Sequence, residues 1–216
     1  MTAHYLIHNR IRLALHELAT GDGVTQPLLL LHGLGESSPA TPPIWAQQWP
    51  GAIHALDFTG HGASTVPAGG GYSAELLLGD ADAALTALGK ATVVGRGLGA
   101  YVALMLAGAR PHAVHGAVLA DGPGLAGGIS GPTSHSIAHL APRLSGPDPY
   151  ALLELSRDPR PADYATAYVR LAIDGSALDE PLAVSAKVRP VWLAAVVEEA
   201  GVFTTTLAEA LVAFSS

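Results

Sequence analysis

Four short, mostly apolar runs, each ending at a glycine-containing loop, constrain the fold of this chain more than any other feature. Such runs are typical of strands that are buried on both faces. Helical spacing follows the second run, over residues 73–89, and the third, over residues 100–109. Strands that alternate with helices predict an α/β fold with a mostly parallel sheet. The runs span residues 28–31, 52–56, 91–94 and 114–120.

Different patterns flank this central part of the chain. Alternating apolar positions over residues 3–18 predict an antiparallel hairpin that turns at Asn9-Arg10. After residue 121 the chain becomes rich in Gly, Pro, Ser and His, and two helical segments follow, which predicts a short helical lid inserted over about 122–188. Residues 191–197 are interpreted as the last buried strand and 207–214 as the closing helix, so the C-terminal end of the sheet is expected to be shortened.

Composition bounds the class of protein. The 216 residues, 49% hydrophobic, favour a single domain over 1–216. The absence of cysteine excludes disulfides, thiolate metal sites and a cysteine nucleophile. A net charge of −7 disfavours nucleic acid as a partner, and no apolar run reaches the ~18 residues of a membrane span. With no signal-peptide layout at its N-terminus, the chain is expected to be cytoplasmic and not membrane-bound.

Three motifs follow strands in an order that resembles the α/β-hydrolase superfamily. LLLLHGLGES is similar to the third strand and oxyanion loop of that family, and DFTGHGAS to the turn after its fourth strand. VVGRGLGAYVAL stands where the family has its nucleophile elbow, a sharp turn from strand to helix with small residues on both sides of the tip. The resemblance implies an α/β-hydrolase-like sheet with its site at the carboxyl ends of the strands.

The residues that the resemblance requires for hydrolysis are missing. The tip of the elbow is Gly97, which has no nucleophilic side chain, and the last histidine is His139, well before the closing helix where the family carries its catalytic histidine. Glu198 or Glu199 falls roughly where an acid partner would lie. Non-hydrolytic members with glycine at the tip exist in the family, and the GxGxGAY stretch resembles the NDRG proteins.

The anion-binding part of the family's site survives in this sequence. The resemblance implies that the backbone N–H groups of Leu34 and Leu98 form an oxyanion hole, with Gly33 and Gly97 beside them. We therefore expect a protein without Ser-His-Asp chemistry and without a cofactor. It would bind a small carbonyl- or carboxylate-containing ligand, or a protein partner.

An enzyme with relocated catalytic residues is the alternative. His32, Asp57, His61 and Asp121 are its candidate acids and bases, for hydrolysis or for cofactor-free proton transfer. Each has a structural interpretation as well: His32 and His61 would shape their loops through hydrogen bonds, and Asp57 would tie its turn to the backbone together with Ser64. Asp121 is either a relocated triad acid or the cap of a turn.

Three weaker patterns complete the analysis. Gly95, Gly97 and Ala100 fit a dinucleotide-binding fingerprint, with Asp121 at a suitable distance along the chain. His135 and His139 have a spacing that suits a metal, but with no carboxylate between them they are interpreted as solvated or lid-lining histidines, and no metal site is expected. A sheet edge left open by a missing last strand would favour a homodimer.

Overall fold

An eight-stranded sheet forms the centre of the molecule. The computed structural model describes residues 2–128 and 146–215. The strand order is β1-β2-β4-β3-β5-β6-β7-β8, with β2 antiparallel to both β1 and β4 and the other neighbours parallel. The predicted mostly parallel sheet with an N-terminal antiparallel hairpin is therefore confirmed. The strands are β1 (Thr2–His8), β2 (Ile11–Ala19), β3 (Leu28–Leu31), β4 (Ile53–Asp57), β5 (Ala91–Arg96), β6 (Val114–Ala120), β7 (Leu182–Ser185) and β8 (Val202–Thr204).

Two helical layers of unequal thickness cover the sheet. Alternate residues of β3 belong to different cores. Leu29 and Leu31 pack into the larger core, under most of the α-helices, whereas Leu28 and Leu30 pack into the smaller core, under the C-terminal helix and a short 3₁₀ helix, Ile44–Ala46. This period of two explains why the run at β3 is apolar throughout. The α-helices are α1 (Ala74–Leu88), α2 (Leu98–Ala109), α3 (Pro149–Arg157), α4 (Ala162–Gly175), α5 (Val191–Val197) and α6 (Leu207–Phe214).

Local sequence signals set the ends of several helices. Ser73 caps α1 by accepting a hydrogen bond from the Leu76 N–H, as its position before an apolar-periodic segment predicts. Thr206 and Glu209 form a reciprocal capping box at the start of α6. Within the described residues, no helix is long and apolar enough to cross a membrane.

The C-terminal part differs from the sequence prediction. Residues 191–197 are the helix α5, not a strand: Trp192, Leu193 and Val196 are buried while Val191 is 79% exposed, which is a helical pattern. A short apolar run is compatible with either structure, and Pro190 at the N-cap favours the helix. β8 follows α5, so the eighth strand is present and the sheet is not shortened.

β7 also changes the boundaries of the predicted insertion. Residues 182–185 pair with β6 and β8 inside the sheet, so they do not belong to an insertion over 122–188. α4 packs against α2 with its buried face, as a layer helix does. The edges of the sheet are β1 and β8, and no strand is missing at either one. The homodimer therefore stays a prediction, but the open edge from a missing last strand, on which it was based, is not present in the described sheet.

Candidate functional site

The turn from β5 into α2 has the strained geometry of an elbow. Gly97, at its tip, has φ 56° and ψ −118°, a left-handed conformation that glycine adopts with least strain. Gly99 lies so close to β3 that a Cβ there would stand 2.5 Å from the Leu31 carbonyl oxygen. The expectation that residue 97 occupies a sharp bend at the rim of the sheet is met.

The space in front of the elbow tip is filled by the chain's own backbone. A Cβ placed on Gly97 would collide with the Pro123 carbonyl oxygen and would lie 2.5 Å from the Gly122 carbonyl carbon. A Cβ on Gly122 would in turn lie 2.7 Å from the Gly97 nitrogen. Glycine on both sides permits this contact between two backbones, and no larger side chain fits at position 97 unless residues 122–123 move.

The Pro123 carbonyl oxygen also lies between the two amides that the sequence predicts as an oxyanion hole. It accepts hydrogen bonds from the Leu34 N–H at 3.0 Å and from the Leu98 N–H at 2.9 Å. Gly33 is close as well, since a Cβ there would be 2.8 Å from the Pro123 Cδ. The structure thus brings together Gly33, Leu34, Gly97 and Leu98, as the sequence predicted, and they surround a carbonyl that belongs to the protein.

Two buried side chains fix the loop that carries this carbonyl. Arg160 donates from Nη1 to the carbonyl oxygens of Gly124 and Leu125, the latter at 2.6 Å. Trp192 of α5 donates from Nε1 to the same Leu125 oxygen at 2.8 Å. We call residues 122–125 the plug loop, because these bonds hold it over the elbow.

The guanidinium of Arg160 is buried, and no carboxylate of the described residues is in hydrogen-bond contact with it. Its side chain lies over the Tyr101 ring, 5.1 Å from the ring centre, and its Nε and Nη2 have no hydrogen-bond partner among residues 2–128 and 146–215. Burial lowers the pKa of Arg160 to about 10. Such a desolvated cation is costly to bury, and it is retained here together with bonds to two carbonyl oxygens of the plug loop.

His32 and His61 use both of their ring nitrogens inside the protein. His32 places Nδ1 2.8 Å from the Gly33 carbonyl oxygen and accepts at Nε2 from the Phe58 N–H. His61 places Nδ1 3.0 Å from the Thr59 carbonyl oxygen and accepts at Nε2 from the Gly35 N–H. These bonds specify neutral imidazoles that link the loop after β3 to the loop after β4.

The electrostatics of both histidines favour the same neutral form. Burial, followed by the neighbouring His61, lowers the pKa of His32 to about 4. Burial also lowers the pKa of His61. A histidine that acts as a base needs a free nitrogen aimed at a substrate, and in this geometry neither ring offers one.

Asp57 ties its own turn together. Its carboxylate accepts from the Ser38 N–H at 2.7 Å and the Ala63 N–H at 2.8 Å, and it lies 2.9 Å from the His16 Nε2. Although burial raises the pKa of Asp57, these hydrogen bonds outweigh it, and the net pKa is lowered. Ser64 donates to the Asp57 backbone carbonyl, as expected for a residue that closes the turn.

Asp121 caps a loop. Its carboxylate accepts from the backbone N–H groups of Lys187 at 2.7 Å and Val188 at 3.1 Å, in the loop that follows β7. Of the two sequence interpretations, the contacts match a cap, although the capped segment belongs to the neighbouring strand. Among the described residues, no imidazole donates to the Asp121 carboxylate.

The remaining sequence candidates lie away from the elbow or outside the described residues. Glu199 lies two residues after α5 and pairs with the exposed Arg170. Thr205 and Thr206, which directly follow β8, donate their hydroxyls to Glu209. His135 and His139 lie outside the described residues. Among residues 2–128 and 146–215, no three His, Asp or Glu side chains gather as a metal site would require.

The glycine turn does not have the open N-terminus that a dinucleotide needs. In the fingerprint, the pyrophosphate lies against free N–H groups at the start of the helix. The Leu98 N–H, at the start of α2, already donates to Pro123. The carboxylate of Asp121 is likewise occupied by the loop after β7.

A cavity of about 460 Å³ opens on the opposite face of the sheet. Its apolar floor comes from β3, β4 and β5, through Leu30, Ala55 and Val94. Arg96 and Glu36 lie at its polar side, with the Arg96 Nη1 3.0 Å from both carboxylate oxygens of Glu36. The Glu36 carboxylate also accepts from the Gly33 N–H, so it joins this cavity to the oxyanion loop.

Three residues that define the plug loop region and the cavity were not predicted as site residues from the sequence. Pro123 stands between two glycines directly after a strand, a pattern that favours a backbone able to approach another closely. Arg96 is the one charged residue in an otherwise apolar strand that ends at the elbow, and this isolation was an available signal. Arg160 had no signal, since its role depends on contacts with residues distant in sequence.

The profile of the alpha/beta hydrolase family matches residues 28–213. This chain belongs to the alpha/beta hydrolase family. The match covers both the elbow and the C-terminal strands, so this hydrolase-family chain has the family's architecture throughout. No curated protein matches its sequence.

Solved structures support the same fold. N-formylmaleamic acid deformylase from Pseudomonas putida S16 aligns over 95% of this chain and 92% of its own, with a TM-score of 0.59 and 17% identity. A membrane phospholipase A, a bacterial virulence factor, aligns over 99% and 85%, with a TM-score of 0.53 and 15% identity. At these identities the likeness concerns the fold alone.

Proposed function

We propose that this alpha/beta hydrolase family protein does not hydrolyse its ligand and acts by binding a small carbonyl- or carboxylate-containing molecule. One observation carries the absence of hydrolysis: the Pro123 carbonyl oxygen stands where the nucleophile and the oxyanion would be. Ligand binding is supported instead by the cavity beside Arg96 and Glu36. The Pro123 oxygen accepts from both amides of the predicted oxyanion hole, and it excludes any side chain at Gly97. A substrate carbonyl would have to displace the plug loop, and it would then meet no nucleophile.

The rest of the hydrolytic machinery supports the same conclusion. Acyl transfer by a serine route needs a base beside the nucleophile and an acid that orients the base. The chain contains no histidine after His139, and the residues that follow β8 are threonines bonded to Glu209. Asp121 binds backbone N–H groups, and within the part of the chain that the structure describes it orients no base.

Relocated chemistry finds little support in the same contacts. Among the described residues, His32 and His61 are imidazoles of the loops after β3 and β4, and both ring nitrogens of each are engaged by the backbone. Their pKa values are lowered by burial, which removes the cationic form that a general acid would need near neutral pH. They act as supports for the loops that shape the site.

The test is hydrolysis of p-nitrophenyl acetate and p-nitrophenyl butyrate, together with labelling by a fluorophosphonate probe. We expect ester turnover equal to that of heat-denatured protein and no covalent label on any residue. We expect the same of Gly97→Ser, because the plug loop blocks the new hydroxyl and no base is available. Turnover above the denatured control that disappears in His32→Gln would contradict the proposal and indicate an enzyme with relocated residues.

A further inference from the structure

The cavity opposite the elbow exists because the chain covers this part of the sheet thinly. The connection between β3 and β4 contains one 3₁₀ helix, Ile44–Ala46, among its described elements. A turn that short does not cover the sheet face as a full helix would. Leu30, Ala55 and Val94, which point to this face, therefore form the floor of an open space of about 460 Å³. A volume of this size falls in the range of small-molecule sites.

Arg96 supplies a directional polar group at this cavity. Its Nη1 is held by Glu36, with 3.0 Å to each carboxylate oxygen, and this bond fixes the guanidinium. Nε and Nη2 donate to no atom of the part of the chain that the structure describes. These two N–H groups form the parallel edge of a guanidinium, whose spacing matches the two oxygens of a carboxylate. The side chain is 43% exposed and lines the cavity.

The charges around Arg96 favour an acid with one carboxylate. Glu36 neutralises one unit of charge beside the guanidinium, and the chain carries a net charge of −7. Both oppose the approach of a polyanion. The apolar floor and Trp45, which lines the same cavity, favour a compact hydrophobic body on the ligand.

We infer that this cavity binds a small monocarboxylic acid with an apolar body, held at its carboxylate by Nε and Nη2 of Arg96 and at its body by the floor of β3, β4 and β5. The inference deepens the proposed function by naming a ligand class. It concerns a cavity across the sheet from the elbow, so the two can fail separately.

The experiment is isothermal titration calorimetry of the full chain with phenylacetate and hexanoate, and with methyl phenylacetate as the matched neutral compound. We expect saturable binding of at least one acid and binding of the ester weaker by roughly tenfold or more, since a charge-assisted pair is lost. Arg96→Gln should weaken binding of the acid by a similar factor. Arg96→Lys, which keeps the charge and loses the planar edge, should fall between wild type and Arg96→Gln.

The matched control is Arg110→Gln. Arg110 also binds one carboxylate, that of Asp82, with Nε and Nη2, but it does not line the cavity, so acid affinity should stay within twofold. Failure of both acids to saturate, equal affinity for acid and ester, or unchanged affinity in Arg96→Gln would each overturn the inference. The acid–ester comparison in wild type remains decisive if a variant does not fold. Release of phenylacetate from the ester would refute the proposed function and leave the carboxylate site intact.

Discussion

The two faces of the β5–α2 turn differ in how they use their polar groups. On the α2 side, the amides of Leu34 and Leu98 share one carbonyl oxygen of the plug loop, and the adjoining histidines have no free nitrogen. On the opposite side, Arg96 is half exposed and borders a cavity, and its Nε and Nη2 donate to no atom of the described residues. The first region is internally satisfied, whereas the second still has hydrogen-bonding capacity for a ligand.

This difference shows which polar groups of the fold are used internally and which stay available for a ligand. An oxyanion hole consists of backbone N–H groups, and these persist whichever side chains change. Once a catalytic corner no longer holds substrate, buried N–H groups still need acceptors, and a nearby loop can provide one. The plug loop does so here, and the groups that remain available lie across the sheet.

The largest expected effect comes from adding a Cβ to Gly97, at the tip of the elbow. Gly97→Ala should lower the free energy of unfolding by about 4 kcal/mol, because the new methyl group collides with Pro123 and Gly122 in a left-handed backbone conformation. Urea denaturation measures the loss. Gly89→Ala is the matched control, since Gly89 also has positive φ (83°) but a Cβ there meets nothing within 4 Å. Equal losses of unfolding free energy in the two variants would show that the plug loop does not fill the space in front of Gly97.

Removal of the support beneath the plug loop should have the next largest effect. Arg160→Ala loses the bonds to the Gly124 and Leu125 carbonyls and the packing over Tyr101, and we expect a loss of about 3 kcal/mol in unfolding free energy. Arg170→Ala, at an exposed arginine that pairs with Glu199, should change stability by less than about 1 kcal/mol. If the two variants lose the same unfolding free energy, the bonds from Arg160 to the plug loop do not stabilise the protein.

The smallest expected effect is a pH dependence from His32. Its pKa is about 4 in the folded protein and about 6.5 in an unfolded chain, so the unfolded state binds more protons between these values. Stability should therefore fall as the pH is lowered, with about 2 kcal/mol lost from this group between pH 7 and pH 5. Chemical denaturation at both pH values measures it.

His32→Gln should reduce the difference in stability between pH 7 and pH 5, whereas His112→Gln, at an exposed histidine, should leave it unchanged. His61, whose pKa is also lowered, contributes in the same direction and should keep a residual dependence in His32→Gln. A pH dependence identical to wild type in His32→Gln would mean that this imidazole is not held neutral by burial.

Short-range patterns were sufficient for most of the fold. The hairpin turn at Asn9, the cap at Ser73 and the apolar run at β3 each depend on neighbours within a few residues, so they could be predicted from the sequence. The glycines of the elbow were also predictable, since a sharp turn beside a sheet tolerates little else. The position of Gly97 at the bend follows from these patterns.

The errors in the predicted fold came from segments whose hydrophobic pattern has neither a clear helical nor a clear strand periodicity. Residues 191–197 are apolar almost throughout, and such a run fits a buried strand as well as a helix. The preceding strand β7 is four residues long and lies in a segment that resembles an insertion, so the sheet was given too few strands. The helix was decided by packing of Trp192 against Tyr101, a contact between distant parts of the chain.

The amino-acid sequence by itself determined the family architecture and the glycine bend at residue 97, because each follows from residue types at fixed spacing. Tertiary structure alone decided what fills the space in front of Gly97 and where a charged group stays available. Pro123 reaches the amides of Leu34 and Leu98 only when β3, β5 and β6 lie side by side. The glycines around Pro123 permit a close approach between backbones, but only the folded chain reveals which N–H groups the Pro123 carbonyl reaches.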